Sequence, residues 1–125
     1  MRYKLSDFKV GQKAYIELTG NAKRGKVAKE DLIIECTVEN IGRKYVTANG
    51  IKFEEHNTSH GGLIEHTSYC VDYVLYPTKQ AVEEKLEKEE LIFKIRHFFD
   101  ILTNSKAKNI SLEKLRKINE IIEQE

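Results

Sequence analysis

"RKYVTANGIKFE", residues 43–54, decides the fold. Asn49-Gly50 stands at its centre, and these residue types most readily adopt positive φ. A type I′ turn needs both of its central residues in that region, and its twist matches that of the strands it joins. Residues suited to a half-buried pleated surface flank the pair, with Tyr45, Val46 and Thr47 before it and Ile51 and Phe53 after it. The stretch reads as a β-hairpin.

The same style continues on either side. Ala14, Ile16 and Leu18 alternate with Tyr15 and Glu17, and Ile34, Cys36 and Val38 alternate with Glu35, Thr37 and Glu39. Period-two alternation marks strands with one buried face. Residues 40–42, "NIG", read as a turn or bulge, and residues 69–76, "YCVDYVLY", as a last strand. Four or five short strands in about 75 residues are too few for a sandwich and suit a small, strongly bent antiparallel barrel.

Pro77 is the only proline, and beyond it the period changes to that of a helix. Thr78 is placed to cap a helix running from Lys79 to about Leu102. Its first half is acidic with a thin apolar line, Val82 and Leu86. Its second half carries a broad stripe of Leu91, Ile92, Ile95, Phe98, Phe99 and Leu102. After the break "TNSKAKN", Ser111 caps a second helix with Leu112, Leu115, Ile118 and Ile122 on one face. The two helices read as a hairpin sharing an apolar face. The expected organisation is α+β: a five-stranded barrel over residues 1–77, then a helical hairpin over 78–125.

Composition narrows the function. The 21 basic and 20 acidic residues leave a net charge of +1, so any nucleic-acid or membrane contact must come from a local patch. Residues 1–10 carry no hydrophobic signal region and no apolar run is long enough to span a bilayer, which predicts a cytoplasmic protein. Cys36 and Cys70 then read as reduced thiols. The sequons at Asn57 and Asn109 carry no meaning without a secretory route.

Residues 20–27, "GNAKRGKV", match the phosphate-binding loop G-x-x-x-x-G-K-[ST] up to its last position, where Val27 replaces the hydroxyl. A working loop of this kind follows a buried parallel strand and opens a helix. Here an acidic turn and a strand follow, so the stretch reads as an exposed loop joining two barrel strands. Its cations Lys23, Arg24, Lys26 and Lys29, with Arg43 and Lys44 at another turn, form a candidate nucleic-acid or partner-binding patch beside Tyr15 and Tyr45. His56, His60, His66 and Cys70 are all zinc-ligand types, but their spacing matches no zinc signature; no metal or other cofactor is expected. Cys36 reads as a small core residue, and no nucleophile, base and oxyanion hole assemble, so no enzyme is expected. Glu83, Glu84, Glu87 and Glu90 on the first helix offer an acidic partner surface.

"VGQKAYIELTGNAKRG", "VENIGRKYVTANGIKFE" and "YCVDYVLYPTKQAVEE", in this order, resemble a set of small β-barrel proteins encoded in phages and prophages of Gram-positive bacteria. The resemblance covers about residues 8–100. It implies a Src-homology-3-like barrel followed by helix, and it implies no catalytic or ligand-binding residues. Its phage context suggests a non-enzymatic module that binds a host protein or complex in the host cytoplasm, including host-defence complexes of the CRISPR type. The alternative is a small nucleic-acid binder using the basic loop. The hairpin's apolar face also allows a homodimer.

Overall fold

A computed structural model describes residues 3–26, 28–56, 61–102 and 110–124. The chain forms two compact units, Met1–Glu87 and Lys88–Glu125.

The first unit is a closed antiparallel barrel whose strands are β1 (Lys13–Leu18), β2 (Ile33–Ile41), β3 (Val46–Ala48), β4 (Ile51–Glu54), β5 (Leu63–Glu65) and β6 (Tyr73–Tyr76). Each strand pairs with the next, and β6 returns to β1 with Tyr15 opposite Tyr76 and Leu18 opposite Tyr73. The Asn49-Gly50 turn forms as expected: φ is 54° at Asn49 and 73° at Gly50, and Ala48 pairs with Ile51 across it. β2 is shared along its length. Residues 33–37 pair with β1, and the register shifts between Val38 and Asn40 where the strand passes to β3. That irregularity bends one long strand around the barrel.

The barrel has six strands, where the sequence pattern led to five. The additional strand, β5, is three residues long and follows a glycine-rich segment, too short to display alternation. The last strand also begins at Tyr73 rather than Tyr69. Before it, the carbonyl oxygens of Val71 and Asp72 accept from the Thr19 hydroxyl (2.8 Å) and the Thr19 N–H (2.8 Å), tying this approach to the exit of β1.

Even-numbered residues of β1 point inward. Ala14, Ile16 and Leu18 are buried with Val46, Phe53, Leu63 and Leu75 in one apolar cluster. Burying a side chain such as Phe53 or Leu75 is worth about 1.5–3 kcal/mol, so these few residues dominate the stability of a small barrel.

The two helices are α1 (Lys79–Leu102) and α2 (Leu112–Glu123). Both expected caps form: the Thr78 hydroxyl accepts from the Ala81 N–H at 3.1 Å, and that of Ser111 from the Lys114 N–H at 3.2 Å. The division between units falls after Glu87, ten residues beyond Pro77. The first turns of α1 belong with the barrel because Val82 and Leu86 are buried in its apolar cluster. The break between the helices at residues 103–109 lies outside the described residues, as do Asn57 and Asn109. Among the described residues, no helix is long and apolar enough to cross a membrane.

Candidate functional site

The basic loop joins β1 to β2, as expected, and much of its backbone is tied into the fold. Gly20–Lys23 form a 3-10 turn. Gly20 has φ +50°, and a Cβ on it would lie 2.6 Å from Asp72 Oδ1 and 2.9 Å from the Val71 carbonyl oxygen. The glycine is therefore needed for close approach to the protein's own Asp72. The Asn21 N–H donates to that carboxylate at 2.9 Å, and the amides of Lys23, Arg24 and Lys26 donate to Thr19, Asn21 and Lys23 carbonyls. These four amides are engaged within the fold. The residue at the motif's last position, Val27, lies outside the described residues.

Lys23, Arg24, Lys26 and Lys29 are exposed, and Lys29 is followed by Glu30 and Asp31 in a second 3-10 turn, Lys29–Leu32. Arg43 and Lys44 are also exposed but follow the other end of β2. The nine residues of β2 lie between these two cations and the first four. The six expected residues therefore fall into two groups, one before β2 and one after it.

Near Arg43 and Lys44, the Tyr45 ring lies 4.9 Å from the His66 ring, and Lys52 Nζ is 5.5 Å from the Tyr45 centroid. His66 Nδ1 is 3.0 Å from Glu54 Oε2. This histidine is held by cross-strand neighbours: its N–H donates to the Lys52 carbonyl beside the β4–β5 ladder. His60 lies outside the described residues, and His56 and Cys70 are exposed. Among the described residues no group of three or more His, Cys, Asp or Glu is placed to hold a metal ion.

The acidic face of α1 is interleaved with cations. Glu83 lies 3.8 Å from Lys79, Glu90 lies 3.3 Å from Lys94, and Glu84 accepts from the Gln80 amide at 3.0 Å. Glu87 is exposed. Beside β1, a cleft of about 450 Å³ is lined by Tyr15, Ile33, Lys29, Lys79 and three glutamates, Glu30, Glu35 and Glu83. Its charges are mixed; the Tyr15 hydroxyl donates to Glu35 at 3.3 Å, and burial followed by that carboxylate raises the Tyr15 pKa above its usual value. Cys36 is half-buried on β2, and burial, then Glu39 and Glu35, pushes its thiol up to about 11. A thiol held protonated at neutral pH is a poor nucleophile.

The sequence pattern passed over one buried charge. Glu17 sits at an outward position of β1 yet is only 2% exposed. Its carboxylate accepts from Lys85 Nζ at 2.5 Å and from the Tyr76 hydroxyl at 3.3 Å. The available signal was Lys85 itself, lying between Val82 and Leu86 on the helix face that meets the barrel core.

In the second unit, an open groove of about 370 Å³ is lined by Ile95, Phe98 and Phe99 of α1 and by Ile118, Ile121 and Ile122 of α2, with Lys94 at its edge. The expected shared apolar face is thus formed, and it is uncovered: Ile95 is 55% exposed and Ile121 66%. Leu91, Phe93 and Leu112 add further exposed apolar side chains to this unit. Such a concentration exceeds the scattered apolar residues of an ordinary surface.

These features define a small closed β-barrel with a helical unit whose apolar face lies open. Over residues 1–125 the chain matches the Phage ProQ C-terminal-like domain family, and it belongs to that family, a phage-related domain. No curated protein and no solved structure matches it.

Proposed function

We propose that this phage-related chain is a non-catalytic interaction module that docks on a host protein or complex through its helical unit. The observation that carries this reading is the open groove of Ile95, Phe98, Phe99, Ile118, Ile121 and Ile122. An apolar groove between two helices is a known form of protein-recognition surface, and apolar anchors dominate the energy of such contacts. The barrel serves as the rigid carrier, of Src-homology-3-like type. A phage of Gram-positive bacteria is the proposed source, the host cytoplasm the site of action, and a host-defence complex the target class, as inhibitors of CRISPR effectors illustrate.

The competing reading is nucleic-acid binding by the loop cations Lys23, Arg24 and Lys26. Three loop cations are a small electrostatic footprint, and the net charge of the chain is only +1. Affinity capture from host lysate with three forms of the full chain tests both readings. The Ile95→Glu/Phe99→Glu variant should lose the host protein captured by the wild type, and the Lys23→Glu/Arg24→Glu/Lys26→Glu variant should keep it. Salt-sensitive nucleic acid in the wild-type eluate, lost only in the loop variant, would reverse the assignment.

A further inference from the structure

Resting on that reading, we infer that the helical groove receives an amphipathic helix whose apolar stripe is flanked by carboxylates. The floor of the groove is wholly apolar, six side chains from two helices. What distinguishes this groove is the sign of its edges. Lys94 lines it from α1, and from α2 Lys114 reaches across so that its Nζ lies 5.3 Å from the Phe98 ring centroid. No acidic side chain is among the described residues that line it.

Glu90 lies 3.3 Å from Lys94, but this is an exposed pair one helical turn apart. Pairs of that kind are worth a few tenths of a kcal/mol, so Lys94 remains available to a partner. A helix laid into the groove buries its apolar stripe on Ile95, Phe99, Ile118 and Ile122. The positions flanking that stripe then fall beside Lys94 and Lys114. Carboxylates there gain charge-assisted hydrogen bonds, and lysines there meet like charge at a partly desolvated edge.

The test uses the full chain and designed helical peptides of about five turns, long enough to cross the groove. One has leucines at i, i+3, i+4 and i+7 flanked by glutamates, a second has the same leucines flanked by lysines, and a third has the glutamate composition scrambled. Binding is read by fluorescence anisotropy at low and high salt. The glutamate-flanked peptide should bind at least about tenfold more tightly than the lysine-flanked one, as a few rim charges working together allow. Added salt should shrink that gap in the wild type, a result that needs no variant. In Lys94→Glu/Lys114→Glu the preference should invert, with helix content checked by circular dichroism.

Equal binding of both patterned peptides, or binding of neither, overturns the inference. So does sedimentation showing a dimer that Ile95→Glu/Phe99→Glu dissolves. Unselective peptides with host-protein capture still lost in Ile95→Glu/Phe99→Glu would sink the carboxylate rule alone. Capture that survives this variant would sink the interaction surface itself.

Discussion

The Lys85 ammonium lies 2.5 Å from Oε2 of Glu17, joining α1 to β1 across 68 positions of sequence. Glu17 is 2% exposed and Lys85 17%, so both charges are largely withdrawn from water. Removing one member of a buried pair leaves an uncompensated charge, which typically costs about 3–5 kcal/mol. Lys85→Met should therefore lower the free energy of unfolding by about 3 kcal/mol in denaturant titrations. Glu17→Leu/Lys85→Met should recover most of the loss, because an apolar pair can replace a buried ion pair without penalty. If the single and double variants unfold alike, the pair is not the joint between helix and barrel.

Two glycines with positive φ separate two kinds of constraint. At Gly50, φ is +73° and an added Cβ meets nothing within 4 Å, so Gly50→Ala strains only the backbone. Its expected cost is about 1–2 kcal/mol, that of holding an alanine in the left-handed region. At Gly20 the same backbone strain is joined by collision with Asp72 Oδ1 and the Val71 carbonyl. Gly20→Ala should destabilise more than Gly50→Ala. It should also speed amide exchange at Asn21 and Thr19, whose N–H groups donate to Asp72. Equal effects at the two positions would mean that the loop moves away from Asp72 freely.

The same contrast explains what the sequence made legible. The Asn49-Gly50 hairpin is coded by local backbone chemistry and needs no knowledge of the remainder. Helix caps at Thr78 and Ser111 are equally local. β5 has three residues and takes its identity from β4 and β6, its partners on either side. Glu17 alternates as a solvent position and becomes buried because a helix much later in the chain covers it. Arg43 and Lys44 look like neighbours of the basic loop until strand pairing places them at the far end of β2. For the candidate site, the apolar periodicity of both helices was readable, while its openness depends on what the fold leaves uncovered.

The two cysteines should differ in chemistry. Cys70 is exposed, whereas Cys36 is half-buried on a strand with its thiol pushed up to about 11. With a thiol-specific reagent near pH 8, mass spectrometry should find Cys70 modified first. The thiolate fraction at Cys36 is then about one part in a thousand, and its rate should rise about tenfold per pH unit until its pKa is approached. Because its folded pKa exceeds the ordinary value of 9.0, the protonated thiol favours folding below that value. This contribution is lost as pH rises through about 11. Cys36→Ala should accordingly flatten the fall in stability between pH 9 and 11; an unchanged slope would remove Cys36 as its source.

The helical unit should be separable from the barrel in stability. Ile95, Phe99, Ile121 and Ile122 are exposed, and Ile95 and Phe99 lie in the compact unit that begins at Lys88. Replacing exposed apolar side chains with polar ones removes little buried area, so such changes are usually within about 0.5 kcal/mol. Ile95→Ser/Phe99→Ser should leave the barrel's unfolding midpoint unchanged. Ser111→Ala acts differently, because it deletes the cap that accepts from the Lys114 N–H. It should weaken α2 by about 1 kcal/mol, read as faster amide exchange over residues 112–115 with exchange in β1 and β6 unaltered. Protection lost across the barrel strands in either variant would show that the two units unfold as one, and that the groove is part of the fold's support.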